Sequence, residues 1–362
     1  MTHSKGWGFA GGAASTSMVG ATWHSGSRHS SSVVLVGCFR ARTAQPRGPP
    51  ARALACDKRR RRRRAISRSS VPHRFKSMTE TKRTSSRPLV EGRALLAAID
   101  QLPPEAPTAC DGWTAHHIAA HLAAGAKETA DLIDERLDGR PDRPTRPFEE
   151  REAPFRAMSH DELRARLVAE NVRKMAAWDA LAEQTADSAI TFTGTRITVD
   201  ELETHSRSEA ALHRWDLVGD DDTSGRLLAQ PELTAHAVKV LNRMPVLTES
   251  ARSLGVRAVQ AGLPPLRLVF RSPDQPDEPD VVLVVGRANS HFELADGPVG
   301  GDITLTTDAG NRLLVLWGRR STSRSIAIEG SAALVAALDR VVWPNAKPWP
   351  GPMAPTSSAT AR

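Results

Sequence analysis

The stretch E-T-H-S-R-S-E-A-A-L-H-R-W-D-L, Glu203 to Leu217, constrains this chain more than any other. It reads as a helix whose one face carries His205, Glu209 and His213 at successive spacings of four. Four residues is just over one turn, so these side chains stack above one another. His213 stands among Ala210, Leu212 and Leu217, which makes that face partly apolar. Buried polar groups without partners cost roughly a few kcal/mol each, and a metal ion would satisfy several at once. The outer histidines are roughly 12 Å apart along the axis, too far to grip one ion together. The site therefore uses His205 with Glu209, or Glu209 with His213, and is completed from another helix.

Charge is divided unevenly. Residues 1–77 hold 16 Lys and Arg against a single acid, Asp57, which leaves 33 basic and 40 acidic residues in the rest. The overall charge of +8 thus describes the leader, and nucleic-acid binding is not expected of the folded part. Residues 1–84 read as a disordered basic leader that includes the run Arg59–Arg64, with Met78 as a natural alternative start. Of Cys38, Cys56 and Cys110, only Cys110 lies past the leader, so neither an intrachain disulfide nor a cysteine-type zinc site is expected there. A reducing cytoplasm follows as the expected location. The apolar run Val33–Phe39 is too short to span a membrane.

Helical periodicity begins at Leu89–Leu102 and a Pro-broken loop follows. Thr114 caps a second helix whose buried side carries Ile118, Leu122, Thr129, Leu132 and Ile133, with His121 close to it. Gly139–Pro147 reads as a loop. Ser159 with Glu162, and Thr198 with Glu201, are capping boxes that launch two further helices, separated by a turn or hairpin at Thr191–Arg196. Helices of this length with loops between them predict a four-helix bundle over 85–222. A helix over Glu232–Leu254 comes next. The runs L-R-L-V-F, V-V-L-V-V-G, S-H-F-E-L-A-D, D-I-T-L-T-T-D and S-I-A-I-E-G then predict strands, with two helices interspersed. This second part, 230–342, reads as a small α+β domain with a mainly antiparallel sheet, and 343–362 as a disordered tail.

His121 and the pair Glu209/His213 come from two helices of one bundle. One carboxylate and two imidazoles suit zinc or another divalent metal, and three protein ligands leave a position open for chemistry. A closed site with a fourth protein ligand, such as His117 or His205, would instead indicate a non-catalytic, metal-stabilised protein that binds a small molecule or a partner.

C-D-G-W-T-A-H-H-I-A-A-H-L, followed by S-E-A-A-L-H-R-W-D-L, resembles the mycothiol-dependent maleylpyruvate isomerase family of actinobacteria, with its DinB-like metal-binding bundle. The resemblance covers about residues 85–342. It implies that His121, Glu209 and His213 hold a divalent metal, most often zinc, and that the second domain is similar to sterol-carrier domains. It selects His213 over His205. It also implies a metal- and thiol-dependent isomerase or S-transferase, with mycothiol or another low-molecular-weight thiol as cosubstrate and a small electrophile as substrate. Such a protein is expected to be a cytoplasmic monomer or homodimer. Arg319, in G-R-R, is the candidate catalytic residue, an anion contact from the second domain; a solvated arginine after a helix is the other reading. The chain departs from the family at His117, where members often have an aspartate that completes a capping box. A histidine cannot do so as an anion, and His117 is read as a surface residue. Cys110 is expected to lie outside the metal's first shell, because the helix rise from Thr114 to His121 is roughly 10 Å, so the nucleophile is expected to be an external thiol.

Overall fold

The computed structural model describes residues 89–342 apart from 185–187, 245–246, 248–252 and 288. The expectations for the leader, Met78 and the tail from 343 fall outside the described residues.

Helix starts coincide with side chains that can satisfy free backbone N–H groups. After α1 (Val90–Asp100), α2 (Ala115–Leu137) begins at Thr114, whose hydroxyl accepts the His117 N–H. His117 Nδ1 in turn accepts the Thr114 N–H at 3.0 Å. The box that the sequence denied to His117 is therefore complete: a neutral imidazole accepts as well as a carboxylate does. Burial holds the His117 pKa below its usual value, aided by Arg156 and His116, which favours that neutral form. Next come α3 (Phe148–Arg156) and α4 (His160–Gln184), with the Ser159–Glu162 box ahead of α4.

Strands β1 (Ala189–Phe192) and β2 (Thr195–Thr198) form an antiparallel hairpin. Thr193 and Gly194 make its tip at positive φ, 49° and 79°, as a two-residue hairpin turn requires. The Thr198–Glu201 box launches α5 (Val199–Val218), which stops at Gly219 with φ 74°.

Beyond α5, Asp221 accepts the Ser224 N–H and starts α6 (Asp222–Leu228), a helix not expected from the sequence. The long helix expected over Glu232–Leu254 is instead α7 (Pro231–Arg243) and a separate α8 (Leu254–Gln260). Met244 precedes a proline, which disfavours the helical region, and it is extended at ψ 143°.

Strands β3 (Leu266–Arg271), β4 (Val281–Val285), β5 (His291–Leu294), β6 (Ile303–Thr306) and β7 (Ala327–Gly330) make a sheet in the order β5-β4-β3-β6-β7. Its pairings are antiparallel except β3 with β6. Helix α9 (Ala309–Leu316) links β6 to β7, and α10 (Ala332–Val342) follows.

In the helical half, α2 packs along α4 and α3, and α1 along α5. Ile99, Ile118, Ala119, Phe155, Leu163 and Leu167 fill the space between them. α5 serves two cores. Ala210 and Leu217 join that helical core, whereas Ala211, Leu212 and Trp215 join a larger one with Leu233, Phe270, Leu283, Leu313 and Trp317. Among the described residues no helix is long and apolar enough to cross a membrane.

Leu212 is fully buried in the core that α5 shares with the sheet. Leu212→Ala should lower unfolding free energy by about 2–5 kcal/mol, read as a shift in the urea midpoint at unchanged slope.

Candidate metal centre

α2 presents His121 and α5 presents Glu209 and His213. One ligand atom from each lies within 4.8 Å of the others. Glu209 Oε2 sits between the rings, 3.5 Å from His121 Nε2 and 3.6 Å from His213 Nε2. The ring centroids are 5.1 Å apart and steeply inclined, at 69°.

A carboxylate fixes the far side of each imidazole. His121 Nδ1 is 2.7 Å from Glu152 Oε1, and His213 Nδ1 is 2.8 Å from Asp216 Oδ2. Ionised carboxylates only accept, so each Nδ1 carries a proton and each Nε2 is turned toward Glu209. These supports are themselves held. Arg156 donates to Glu152 at 2.6 Å, and Arg319 grips Asp216 with Nε at 2.7 Å and Nη2 at 2.6 Å. Trp113, just ahead of the α2 cap, stacks on His213 with a centroid distance of 6.3 Å and meets His121 edge-on at 5.4 Å. Phe148 of α3 closes on His121 at 5.5 Å.

The charges reinforce one another. Burial alone would raise the Glu209 pKa, but His121, His213 and His205 hold it well below the usual carboxylate range. Burial opposes charge on His213, yet Asp216, Cys110 and Glu209 together raise its pKa well above the usual value. Asp216 is likewise kept ionised against burial by Arg319 and His213. Even so, Glu209 Oε1 and His213 Nε2 are buried with no hydrogen-bond partner. Unsatisfied atoms of this kind cost about 1–3 kcal/mol each. A divalent cation fits the donor set: two imidazole nitrogens oriented from behind, and a carboxylate with an unused oxygen.

His205 stands outside this cluster. Its Nδ1 meets His236 Nε2 of α7 at 3.2 Å, and burial lowers its pKa. His117 is taken up by the α2 cap. Arg319 is not a solvated arginine; it is 7% exposed and paired with Asp216, and its Nη1 has no hydrogen-bond partner.

Cys110 lies beside His213 without joining the His121, Glu209 and His213 cluster. It is buried, and its sulfur lies within 4.8 Å of ligand atoms of His213 and Asp216. Rise along α2 does not set this distance, because Cys110 precedes that helix. Its loop folds back onto the end of α5, where the Ala109 N–H donates to the Asp216 carbonyl at 2.8 Å. Sequence reasoning also missed Glu152 and Asp216. Asp216 carried a usable signal, since it is three residues after His213 and so on the same face. Glu152 lay in a segment to which no element was assigned.

Residues 89–218 match the family model of the mycothiol maleylpyruvate isomerase N-terminal domain. This is the family that the residues around His121 and His213 resemble. Among solved structures, a mycothiol-dependent maleylpyruvate isomerase is similar at 16% identity and a TM-score of 0.44, covering 66% of this chain and 88% of that one. A point mutant of such an isomerase is similar at 15% identity and a TM-score of 0.42, with the same coverage of 66% and 88%. No curated protein matches the chain.

Removing Asp216 would strand the buried Arg319 guanidinium. Asp216→Ala should destabilise the protein by about 3–5 kcal/mol, and chemical denaturation should show it without any metal present.

Proposed function

We propose that this chain, whose residues 89–218 match the mycothiol maleylpyruvate isomerase N-terminal domain, is a metal-dependent isomerase or S-transferase. It would act on a small electrophile with a mycothiol-type, low-molecular-weight thiol as cosubstrate. In this reading the helical half, 85–222, is a DinB-like bundle and 230–342 is a separate α+β domain. The observation that carries it is the pair of unpartnered, buried atoms, Glu209 Oε1 and His213 Nε2, beside an oriented His121.

His121, Glu209 and His213 would hold the metal, with zinc the best match to two nitrogens and a carboxylate. A divalent ion held there would supply the chemistry of a thiolate near neutral pH, by lowering the pKa of the cosubstrate thiol. Glu152 and Asp216 keep the two imidazoles in the ligating orientation. Trp113 and Phe148 shield the rings from water. Arg319 brings a fixed positive charge to the Asp216 side, and its unpartnered Nη1 is the group that would meet an anion. Addition of the cosubstrate thiolate to a double bond conjugated with a carbonyl moves the π electrons onto the carbonyl oxygen and leaves a single bond free to rotate. Return of those electrons then restores the double bond in the other geometry and expels the thiolate. In a transferase the adduct leaves instead.

A closed, purely structural metal site needs a fourth protein ligand. Both side chains proposed for that role are engaged elsewhere, His117 in the cap and His205 with His236, which supports an open position.

Metal analysis of the purified full chain tests the assignment. His121→Ala, Glu209→Ala and His213→Ala should each strip the metal, and His205→Ala should retain it; the reverse pattern would show that the wrong pair was chosen. Glu152→Gln keeps all three ligands and should weaken metal affinity about 10–100-fold. In the cobalt form, added thiol should produce a sulfur-to-metal charge-transfer band that persists in Cys110→Ala. Since Cys110 adjoins His213, loss of the band in that variant would assign the sulfur to the protein and sink the external-thiol reading.

A further inference from the structure

The proposed mechanism leaves a buried amine unused. Lys174 of α4 is 8% exposed, and among the described residues no carboxylate comes within ion-pair distance of it. Its Nζ donates to Ser206 Oγ of α5 at 3.1 Å and lies 4.9 Å above the Trp178 ring. The Nε1 of that ring is buried without a hydrogen-bond partner, so polar capacity beside the amine is unfilled. Lysine is an uncommon choice in this chain: eight of its 49 Lys and Arg residues are lysine. Lys127 is paired with Asp131 and Lys239 is exposed, so among the described lysines Lys174 alone is buried. Arginine would cover Trp178 equally well, but lysine can release its proton and act as a nucleophile.

The amine also stands next to the ligand cluster. Ser206, which receives it, is three residues before Glu209 on α5, roughly 5 Å along the axis. Glu209 acts on Lys174 electrostatically, and His205 feels Lys174 and His121 together. An isolated buried ammonium is costly, and such a group gives up its proton more readily. Burial outweighs the Glu209 charge and brings the Lys174 pKa down to about 8. The neutral, nucleophilic amine is therefore well populated near neutral pH, where an exposed lysine holds little of it.

We propose that Lys174 is a covalent catalyst of this site, which condenses with an aldehyde or ketone carbonyl conjugated to the electrophile's double bond. The inference rests on the thiol-addition reading above and adds a second covalent contact, from α4. The Lys174 nitrogen adds to the carbonyl carbon, and the C=O π electrons move to oxygen. That oxygen leaves as water, and with uptake of one proton a cationic C=N bond to Lys174 remains. This cation withdraws electrons more strongly than the parent carbonyl, so the cosubstrate thiolate adds to the conjugated carbon more readily. The π electrons collect on nitrogen, rotation follows, and their return expels the thiolate. Water then adds to the C=N carbon and releases the carbonyl product, the amine and the proton.

The experiment is reductive trapping of the metal-free full chain near neutral pH with benzaldehyde and cyanoborohydride. Benzaldehyde is neutral and conjugated, and hydride from cyanoborohydride converts its C=N adduct into a stable benzylamine. Peptide mass mapping reads each lysine separately, with the terminal α-amino group on a peptide of its own. Lys174 should be labelled about tenfold or more faster than Lys127 and Lys239, with a half-maximal rate near pH 8. Glu209→Gln removes the anion that favours the ammonium and should speed labelling of Lys174 further. Labelling of Lys174 no faster than of the other two, or a rate unchanged in Glu209→Gln, would overturn the proposal. A wild-type chain that holds no zinc would refute the metal reading alone, since trapping in the metal-free chain still reads the amine.

Discussion

The Asp216 carboxylate is the joint on which both the site and the assembly of its surroundings depend. Its oxygens fix His213 Nδ1 and receive the Arg319 fork from the far end of the chain. Its backbone carbonyl anchors the loop that carries Cys110 and leads to Trp113. Arg319 lies just beyond α9, in the sheet-bearing half, so orientation of the His213 imidazole is coupled to the seating of that half against α5. A buried carboxylate held by an imidazole N–H and a guanidinium is stable only when both are present. The geometry behind His213 is therefore cooperative with the fold.

The opposite imidazole has an independent support. Glu152 fixes His121 from α3 and is itself fixed by Arg156 one turn later. Glu209, between the two rings, has no such support on Oε1. The site is thus rigid at its two nitrogens and leaves its polar demand unmet at the centre. This is the distribution expected where a ligand, and not the protein, supplies the last partners.

Capping boxes and period-2 runs made most elements legible. Thr114, Ser159 and Thr198 mark real helix starts, and the apolar alternation from Leu266 onward corresponds to strands of one sheet. The triad was legible because α5 keeps its period through Glu209 and His213. Tertiary context accounts for what was not. Helix α3 has Glu149, Glu150, Arg151 and Glu152 in succession and Pro154 near its end, so nothing local marks it as a helix. It is secured by packing on α2 and by burying Glu152 against His121. The position of Cys110 depended on a loop folding back, which no periodicity encodes. The break at Met244 did have a local cause, the proline after it, and apolar periodicity masked that cause.

α5 is asked to satisfy three surroundings with one rotational phase. Glu209 and His213 address the ligand cluster, Ala210 and Leu217 the helical core, and Ala211, Leu212 and Trp215 the core shared with the sheet. Inserting or deleting one residue within it would turn everything downstream by about 100°. His213 would then swing out of the cluster while Trp215 left its core. Substitution is the only drift this helix can accept over that span, one position at a time. Changes of length must be absorbed at its ends, at the hairpin tip Thr193–Gly194 or beyond Gly219, where the backbone is already turned. Among chains that keep this arrangement, spacing from Glu209 to Asp216 should hold constant while the flanking loops vary.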